Sequence, residues 1–467
     1  MSLHKYVFTG VVVYLLLLLA GYWWSPELAL NAVVATPLIA LVLYALLYEL
    51  DVLYYATAAV LPLSFNIRSV VGNAGVVFPA EPMMAFLAFA VVVRWVSKPA
   101  LFKSLLQQPQ HLLVVLYAVW MIITTVTSVN IIVSGKFVLI NTVFLLALYF
   151  YAVDLFLYCK KNTFHRFYWF YLIPFLGAVG YTLYRHSLFD FTQRAANLAG
   201  FPVYNDHTVY AAVIAILLFL SIGYFFYDER KWLKLIMLLV IVILIIALVF
   251  SFSRAAWLSM GVAFVSAVFF YFRVSFHRLI TVVMAFGLAF VFSWPYVHQQ
   301  ISQHTAVSGE KLVEHATSAF NITEDVSNKE RLNRWSCAIR IFEDYPLTGV
   351  GPANFKFAYA DYQLPEETTN ISVYDGSLGG THSDYLKALT ETGLPGMLIF
   401  VAIVLSALYN GMRLLRQQHH FKERIMVVLV LTAFVSFLVH ILFNEFLDDA
   451  KAAYLFWGIV AYFNVKK

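Results

Sequence analysis

The chain has 467 residues, 62% of them hydrophobic and only 12% charged, with a mean hydropathy of +0.78. A water-soluble domain of this length needs more charge to cover its surface, so that class is excluded. Lipid admits only helices or closed barrels, and runs such as VVVYLLLLLAGYWW and LIMLLVIVILIIALVF lack the two-residue alternation of barrel strands. The expectation is an all-α, polytopic transmembrane helix bundle of about 12–14 spans.

In chain order, apolar spans are predicted near 7–24, 29–48, 50–66, 80–97, 111–129, 135–158, 165–184, 208–227, 231–250, 254–272, 278–296, 392–412, 425–443 and 450–464. The first continues through Tyr22, Trp23 and Trp24 with no small-residue cleavage site, which reads as a permanent span rather than a leader. The third is short and tightly joined to the second. Lys and Arg set the orientation. One set of connections carries Lys5, Arg94, Lys98, Lys103, Lys160, Lys161, Arg166, Arg230, Lys231, Lys234, Arg273, Arg278, Arg413, Arg416, Lys422, Arg424, Lys466 and Lys467. The opposite short connections hold Arg68, Lys136, Arg185, Arg194, Arg254 and Lys451. Both ends of the chain are therefore expected in the cytoplasm, with the long polar segment outside. The expected organisation is an N-terminal bundle over 1–296, an outer loop carrying helices over 297–391, and C-terminal spans over 392–467. Cys159 and Cys337 fall on opposite sides and cannot pair. Ionisable residues are nearly absent from mid-span; Asp154 lies near a cytoplasmic end. That weakens an ion-coupled transporter reading.

In the outer loop, 297–326 is polar with His298, His304 and His315, and the triplets starting at Asn321 and Asn370 match a glycosylation pattern that arises often by chance. A helix is predicted to start at Ser327, with Glu330 completing a capping box. Leu332, Trp335, Ile339 and Phe342 form its apolar stripe, Arg331 and Arg334 its solvated face, and Pro346 its end. The glycines of PLTGVGPANF favour a tight path. A second helix is predicted from Thr381, capped with Asp384 in THSDYLKALTETGLPG, stopping at Gly393 and Pro395 and leading into a span. His382 would then sit in a first helical turn, where the helix N-terminus keeps imidazole neutral and able to accept a proton.

The few basic residues outside run against the positive-inside bias and so call for another explanation. Arg254, in the short turn SFSRAAWL, is either a snorkelling arginine or a clamp on a phosphate-bearing lipid. Arg194, in QRAANLAGFPVYNDHTVYAA, could join it or sit solvated. Asp206 and His207 stand at the entrance to the 208–227 span, as capping residues or site residues; Glu445, Asp448 and Asp449 read as a solvated acidic face or, less simply, a metal site. No zinc spacing, phosphate loop or dinucleotide fingerprint occurs.

Over roughly residues 190–400, SFSRAAWL, NRWSCAIRIFEDYPLTGVGPANF and THSDYLKALTETGLPGMLIF together resemble the O-antigen ligase and O-antigen polymerase family of bacterial polysaccharide enzymes. The resemblance implies a multi-pass protein of the inner membrane with a periplasmic active site. It implies transfer of a glycan from an undecaprenyl-diphosphate carrier to an acceptor hydroxyl, with inversion, and no metal or cofactor. The acceptor can be lipid A core, a growing glycan or a protein hydroxyl; membrane lipids are further partners and nucleic acid is not. His382 matches the family's loop histidine proposed as general base, Arg254 an arginine that binds the carrier diphosphate, and Arg194 a counterpart of the second. His207 and Arg331 complete the candidate binding set. Ser383 stands where the family often has Asn, and the family commonly shows about 12 spans. The rival from another class is a flippase or exporter of lipid-linked oligosaccharide, which makes no covalent bond.

Overall fold

The computed structural model describes residues 50–67, 76–158, 163–302, 326–367 and 379–465. The expected spans 7–24 and 29–48, together with Arg68, Cys159, His304, His315, Asn321 and Asn370, lie outside them. The chain divides into two compact units, Met1–Thr57 and Ala58–Lys467. Helix α1, Leu50–Val60, opens in the first.

In the second unit the expected 50–66 span ends early. A single 3-10 turn, Leu61–Leu63, follows Val60 with Pro62 near its start, and Phe65–Ile67 (β1) then pairs antiparallel with Val76–Phe78 (β2), Phe65 opposite Phe78. Pro62 has no N–H to offer and blocks helical continuation. Beyond this pair the described residues are helical. The order is α2 (Ala80–Ser97), α3 (Pro99–Leu106), α4 (Pro109–Val126), α5 (Ile131–Phe144), α6 (Tyr151–Tyr158), α7 (Thr163–Ser187), α8 (Gln193–Ala199), α9 (His207–Tyr227), α10 (Lys231–Val249), α11 (Arg254–Tyr271), α12 (Phe276–Ser302), α13 (Val326–Asp344), α14 (Phe355–Tyr362), α15 (Asp384–Gln417), α16 (Phe421–Phe443) and α17 (Ala450–Val465). A π-helical stretch, Leu145–Phe150, joins α5 to α6 in one continuous rod. Among the described residues 8 helices are long and apolar enough to cross a membrane. The protein is an all-α, multi-pass membrane bundle.

Helix α9 is apolar all round and buried on nearly every side, packed by α10, α16 and α17, as a central helix must be. Helix α11 packs on α16, where Ser259 Oγ lies 3.2 Å from Ser436 Oγ. Helix α10 has the opposite character. Leu235, Leu239, Val242 and Ile246 stand exposed along one side, a surface that only hydrocarbon covers without penalty. The basic connections collect at one end of the bundle. Lys422 pairs with Glu229, Arg273 donates to Gln418 O, and the Arg424 guanidinium lies 4.9 Å from the centre of the Tyr271 ring. The starts of α9, α11, α15 and α17 share the other end.

At that other end the two glycine-rich motifs of the sequence interlock. Helix α15 breaks at Gly393, whose φ is +69, and resumes past Pro395 into a long apolar stretch. The break frees carbonyls that the 346–351 segment and α4 take up: Val350 N–H donates to Thr390 O at 2.9 Å, Gly351 N–H to Glu391 O at 3.0 Å, and Trp120 Nε1–H to Thr392 O at 2.7 Å. Leu394 N–H returns a bond to Pro346 O at 2.9 Å. A Cβ on Gly393 would stand 2.2 Å from Leu347 O, so only glycine lets these strands of backbone meet. The Glu391 carboxylate completes the joint by accepting from Ala353 N–H at 2.7 Å and Phe355 N–H at 3.3 Å, capping α14.

Helix α13 keeps part of its expected stripe inward, with Leu332 buried and Trp335 packed on Phe443, but its most buried face is another. Glu330, Arg334, Cys337, Ala338 and Ile341 are buried, while Ile339 is 43% exposed. Cys337, Ala338 and Ile341 form a small core with Val350, Phe355, Ala358 and Tyr359. The small side chains at 337 and 338 let α14 approach closely, and that contact sets the helix's rotation in place of the larger Ile339 and Phe342.

Candidate functional site

The segment Gly379–Ser383 leads into α15 at this end. The helix after it starts at Asp384, with the Ser383 hydroxyl accepting from Leu386 N–H at 3.4 Å. His382 is therefore not in a helical turn, as the sequence suggested, but immediately before the cap. Its φ is +54, a left-handed conformation that costs a non-glycine residue about 1–2 kcal/mol.

A carboxylate 63 residues away holds it there. Glu445 Oε1 accepts from His382 N–H at 3.0 Å and from the Thr381 hydroxyl at 2.8 Å. A Cβ on Gly380 would lie 2.0 Å from Glu445 Oε2, so the glycine makes room for the acid. Lys387 Nζ stands 3.7 Å from Glu445 Oε2 and also pairs with Asp448. Asp384 Oδ2 ties the same two segments by accepting Phe446 N–H at 2.9 Å. Burial pushes the Glu445 carboxyl up, while Lys387 pulls it down. The acidic residues of 445–449 are thus only in part a solvated face: the Asp448 side chain is 40% exposed, that of Glu445 16%. Glu445 and Asp448 serve 381–387, and Asp449 Oδ1 accepts Lys451 N–H at 2.8 Å. Among the described residues no group of His, Cys, Asp and Glu is arranged to hold a metal ion.

Arginines of α13 bound His382 on another side. Arg334, expected in solvent, is 4% exposed. Its Nε–H donates to Glu330 Oε1 at 3.0 Å, its Nη1–H to Gly380 O at 2.9 Å, and its guanidinium lies 4.7 Å from the Tyr359 ring centre. Burial first, then the charges of Arg331 and Arg334, hold the His382 imidazole down at about 4, with Asp206 and Glu330 acting weakly the other way. At neutral pH the ring is uncharged and has a lone pair to give. That much agrees with the sequence reading, although the cause is burial and neighbouring guanidinium groups rather than a helix end.

The remaining candidates stand at the same end. Asp206 caps α9, accepting Thr208 N–H at 2.7 Å, and His207 Nδ1 lies 3.7 Å from Asp206 Oδ1. Asp206 is felt by both His382 and Asp449. The preceding loop is pinned by Lys451, which donates to Val203 O and lies 4.0 Å from the Tyr204 ring centre. Arg254 is half-buried and opens α11. The turn before it is short because Phe252 adopts φ +51. Helices α9 and α11 pack together and run in the same direction, with α10 returning between them, so Arg254 shares the end that bears Asp206. Arg194 is exposed on α8, which packs against α7 and α9. Cys337 is buried, its thiol pushed up to about 11 chiefly by that burial, and is unreactive.

What sequence reasoning missed is the pairing of Glu445 with His382 and the burial of Arg334. The Gly379–Gly380 pair was the available signal: side by side before a histidine, two glycines mark a place where other groups come close. A Cβ on Gly379 would meet Arg334 Nη1 at 2.9 Å.

One end of the bundle thus holds His382 against Glu445 and within the fields of Arg331 and Arg334. Residues 239–401 match a family model described as O-antigen ligase. The matched region contains Arg254, Arg331 and His382. It supports the O-antigen ligase and polymerase family, and with it a membrane glycosyltransferase-like function. No curated protein matches the chain.

Proposed function

We propose that this protein moves a glycan from an undecaprenyl-diphosphate carrier to an acceptor hydroxyl at the periplasmic face of the bacterial inner membrane, as an O-antigen ligase or a repeat-unit polymerase. The organisation proposed with it is a membrane part over 1–296 and 392–467 and an outer part, 297–391, that carries the base. His382 takes the proton of the acceptor hydroxyl as its oxygen attacks the anomeric carbon. The bond from that carbon to the diphosphate oxygen breaks, and its electron pair leaves with the diphosphate. Direct displacement inverts the anomeric configuration. Arg254 and Arg194, together with His207 and Arg331, receive the charge that builds on the leaving group. The scheme calls on no metal or cofactor, and the acceptor stays open between lipid A core, glycan and protein.

The observation that carries this reading is the state of His382: uncharged, half-buried and locked in a left-handed backbone by Glu445. Its low basicity in the free protein also fits. A diphosphate placed beside Arg331 offsets one of the charges that depress the imidazole, so the base strengthens when the donor arrives.

The test is glycan transfer in vitro from purified carrier with candidate acceptors. His382→Ala should lower the rate by about 10²–10⁴-fold, the usual worth of a general base, with carrier binding preserved. Transfer at the unaltered rate would remove His382 as the base. Movement of carrier across a bilayer with no new glycosidic bond would put the flippase reading in its place.

A further inference from the structure

At the end of the bundle opposite His382, a cleft of about 280 Å³ lies between the starts of α7 and α10. His165 and Trp169 line it from α7, and Trp232, Leu233 and Ile236 from α10, with Arg230 immediately ahead of that helix. Leu233 is buried, whereas Trp232 is 59% and Ile236 40% exposed, so the cleft opens outward from the bundle. Leu239 and Ile243 continue the exposed side of α10 beyond Ile236. On α7, Ile173, Gly177 and Gly180 follow Trp169 at helical spacing. Ile173 is exposed, and a Cβ on either glycine would meet nothing within 4 Å. Both helices start at this end and run the same way, so an apolar, uncrowded path leads on from the cleft.

The polar groups gather at its lip. Trp169 Nε1–H donates to His165 Nε2 at 3.0 Å, which locks the two rings into one wall. Arg230 is fork-paired with Asp228, Nε–H to Oδ1 at 3.0 Å and Nη2–H to Oδ2 at 2.7 Å, and its guanidinium lies 5.3 Å from the Trp232 ring centre. That pairing uses two of the five donors a guanidinium carries. It fixes the group while leaving the side chain 55% exposed. Arg166, exposed one turn before Trp169, and exposed Lys231 add positive charge, and Glu229 is taken by Lys422.

Indoles settle where lipid chains meet headgroups, so the lip stands at the depth of lipid phosphates. A fixed, accessible guanidinium there suits a phosphate oxygen, and the apolar cleft behind it suits hydrocarbon. The surplus of Arg166 and Lys231 over Asp228 favours an acidic headgroup over a zwitterionic one, as in other basic pockets between spanning helices. We propose that this cleft binds one acidic phospholipid of the adjoining leaflet, its phosphate at Arg230 and an acyl chain between α7 and α10.

The experiment is equilibrium binding to the purified full-length protein in a neutral detergent. Three probes are compared: dioctanoyl phosphatidylglycerol, dioctanoyl phosphatidylcholine and glycerol phosphate. The acidic lipid should bind at a single saturable site, more tightly than the zwitterionic one, and glycerol phosphate should not compete. Arg230→Gln should raise Kd for the acidic lipid about 10- to 100-fold, the worth of a hydrogen bond to a charged group. Trp232→Ala should weaken both lipids alike. Both side chains are exposed, and melting temperatures check that the variants fold. Equal affinity of the unaltered protein for the two lipids, or an unchanged Kd in Arg230→Gln, overturns the site. Glycerol phosphate binding as tightly as the lipid would make it a site for soluble phosphate and overturn the proposal equally.

Discussion

Removing the Glu445 carboxylate should disarm His382 without dismantling the protein. The left-handed backbone at His382 is disfavoured by about 1–2 kcal/mol. One bond from His382 N–H to a carboxylate, worth about 1.5–3 kcal/mol, is enough to hold it. In Glu445→Ala that restraint vanishes, and the Thr381 hydroxyl loses its acceptor as well. The productive conformation then falls from dominant to minor, and with tenfold per 1.4 kcal/mol, kcat should drop roughly 10- to 100-fold. KM for the carrier should change far less, because Arg254 and Arg331 are untouched. Lys387 keeps Asp448 as a partner, so the fold should survive. Glu445→Gln retains an acceptor oxygen and should recover most of the lost rate. Steady-state transfer kinetics on the three proteins, with melting curves alongside, give the answer. An unaltered kcat in Glu445→Ala, or equal losses in the Ala and Gln variants, would refute positioning through this bond.

Two further outcomes follow from the arginines. Replacing Arg331 with Gln removes a positive charge that disfavours imidazolium, so the His382 pKa must rise from about 4 toward its ordinary value. The acid limb of kcat/KM, which reports the free protein, should move to higher pH; a limb that stays put or moves down contradicts the assignment. For Arg334, whose side chain is 5% exposed against 7% for that of Glu330, truncation to Met takes the cation from a buried carboxylate and leaves it the weaker Tyr359 hydroxyl at 3.3 Å, at a cost of up to about 3–5 kcal/mol. The Glu330→Gln/Arg334→Met double variant strands no charge and should melt above the single Arg334→Met variant.

The spans were legible because a bilayer leaves a chain little freedom. Runs like LIMLLVIVILIIALVF must be helical, and α9, α10 and α11 fall close to their expected limits. The motif glycines were legible for a similar reason, since Gly393 must break a helix wherever its φ is positive. The rotation of α13 was not, because Ile339 and Phe342 outweigh Cys337 and Ala338 in apolar area, yet the smaller pair allows close approach. A carboxylate in a polar connection reads the same whether solvated or buried, so Glu445 gave no sign of its partner 63 positions away. The cap moved from Thr381 to Ser383 because both residues suit an N-cap and only the bond to Leu386 N–H distinguishes them.

The bond between His382 and Glu445 has a bearing on how this protein can be dissected. The stretch that matches the ligase family ends at 401, but the anchor for its histidine arrives from a later turn of chain, and Asp206 from an earlier one. An excised piece limited to the matched stretch would keep its signature residues and lose the fastening that aims one of them. Swapping that stretch between relatives would succeed only when the receiving protein supplies an acid in the same spot.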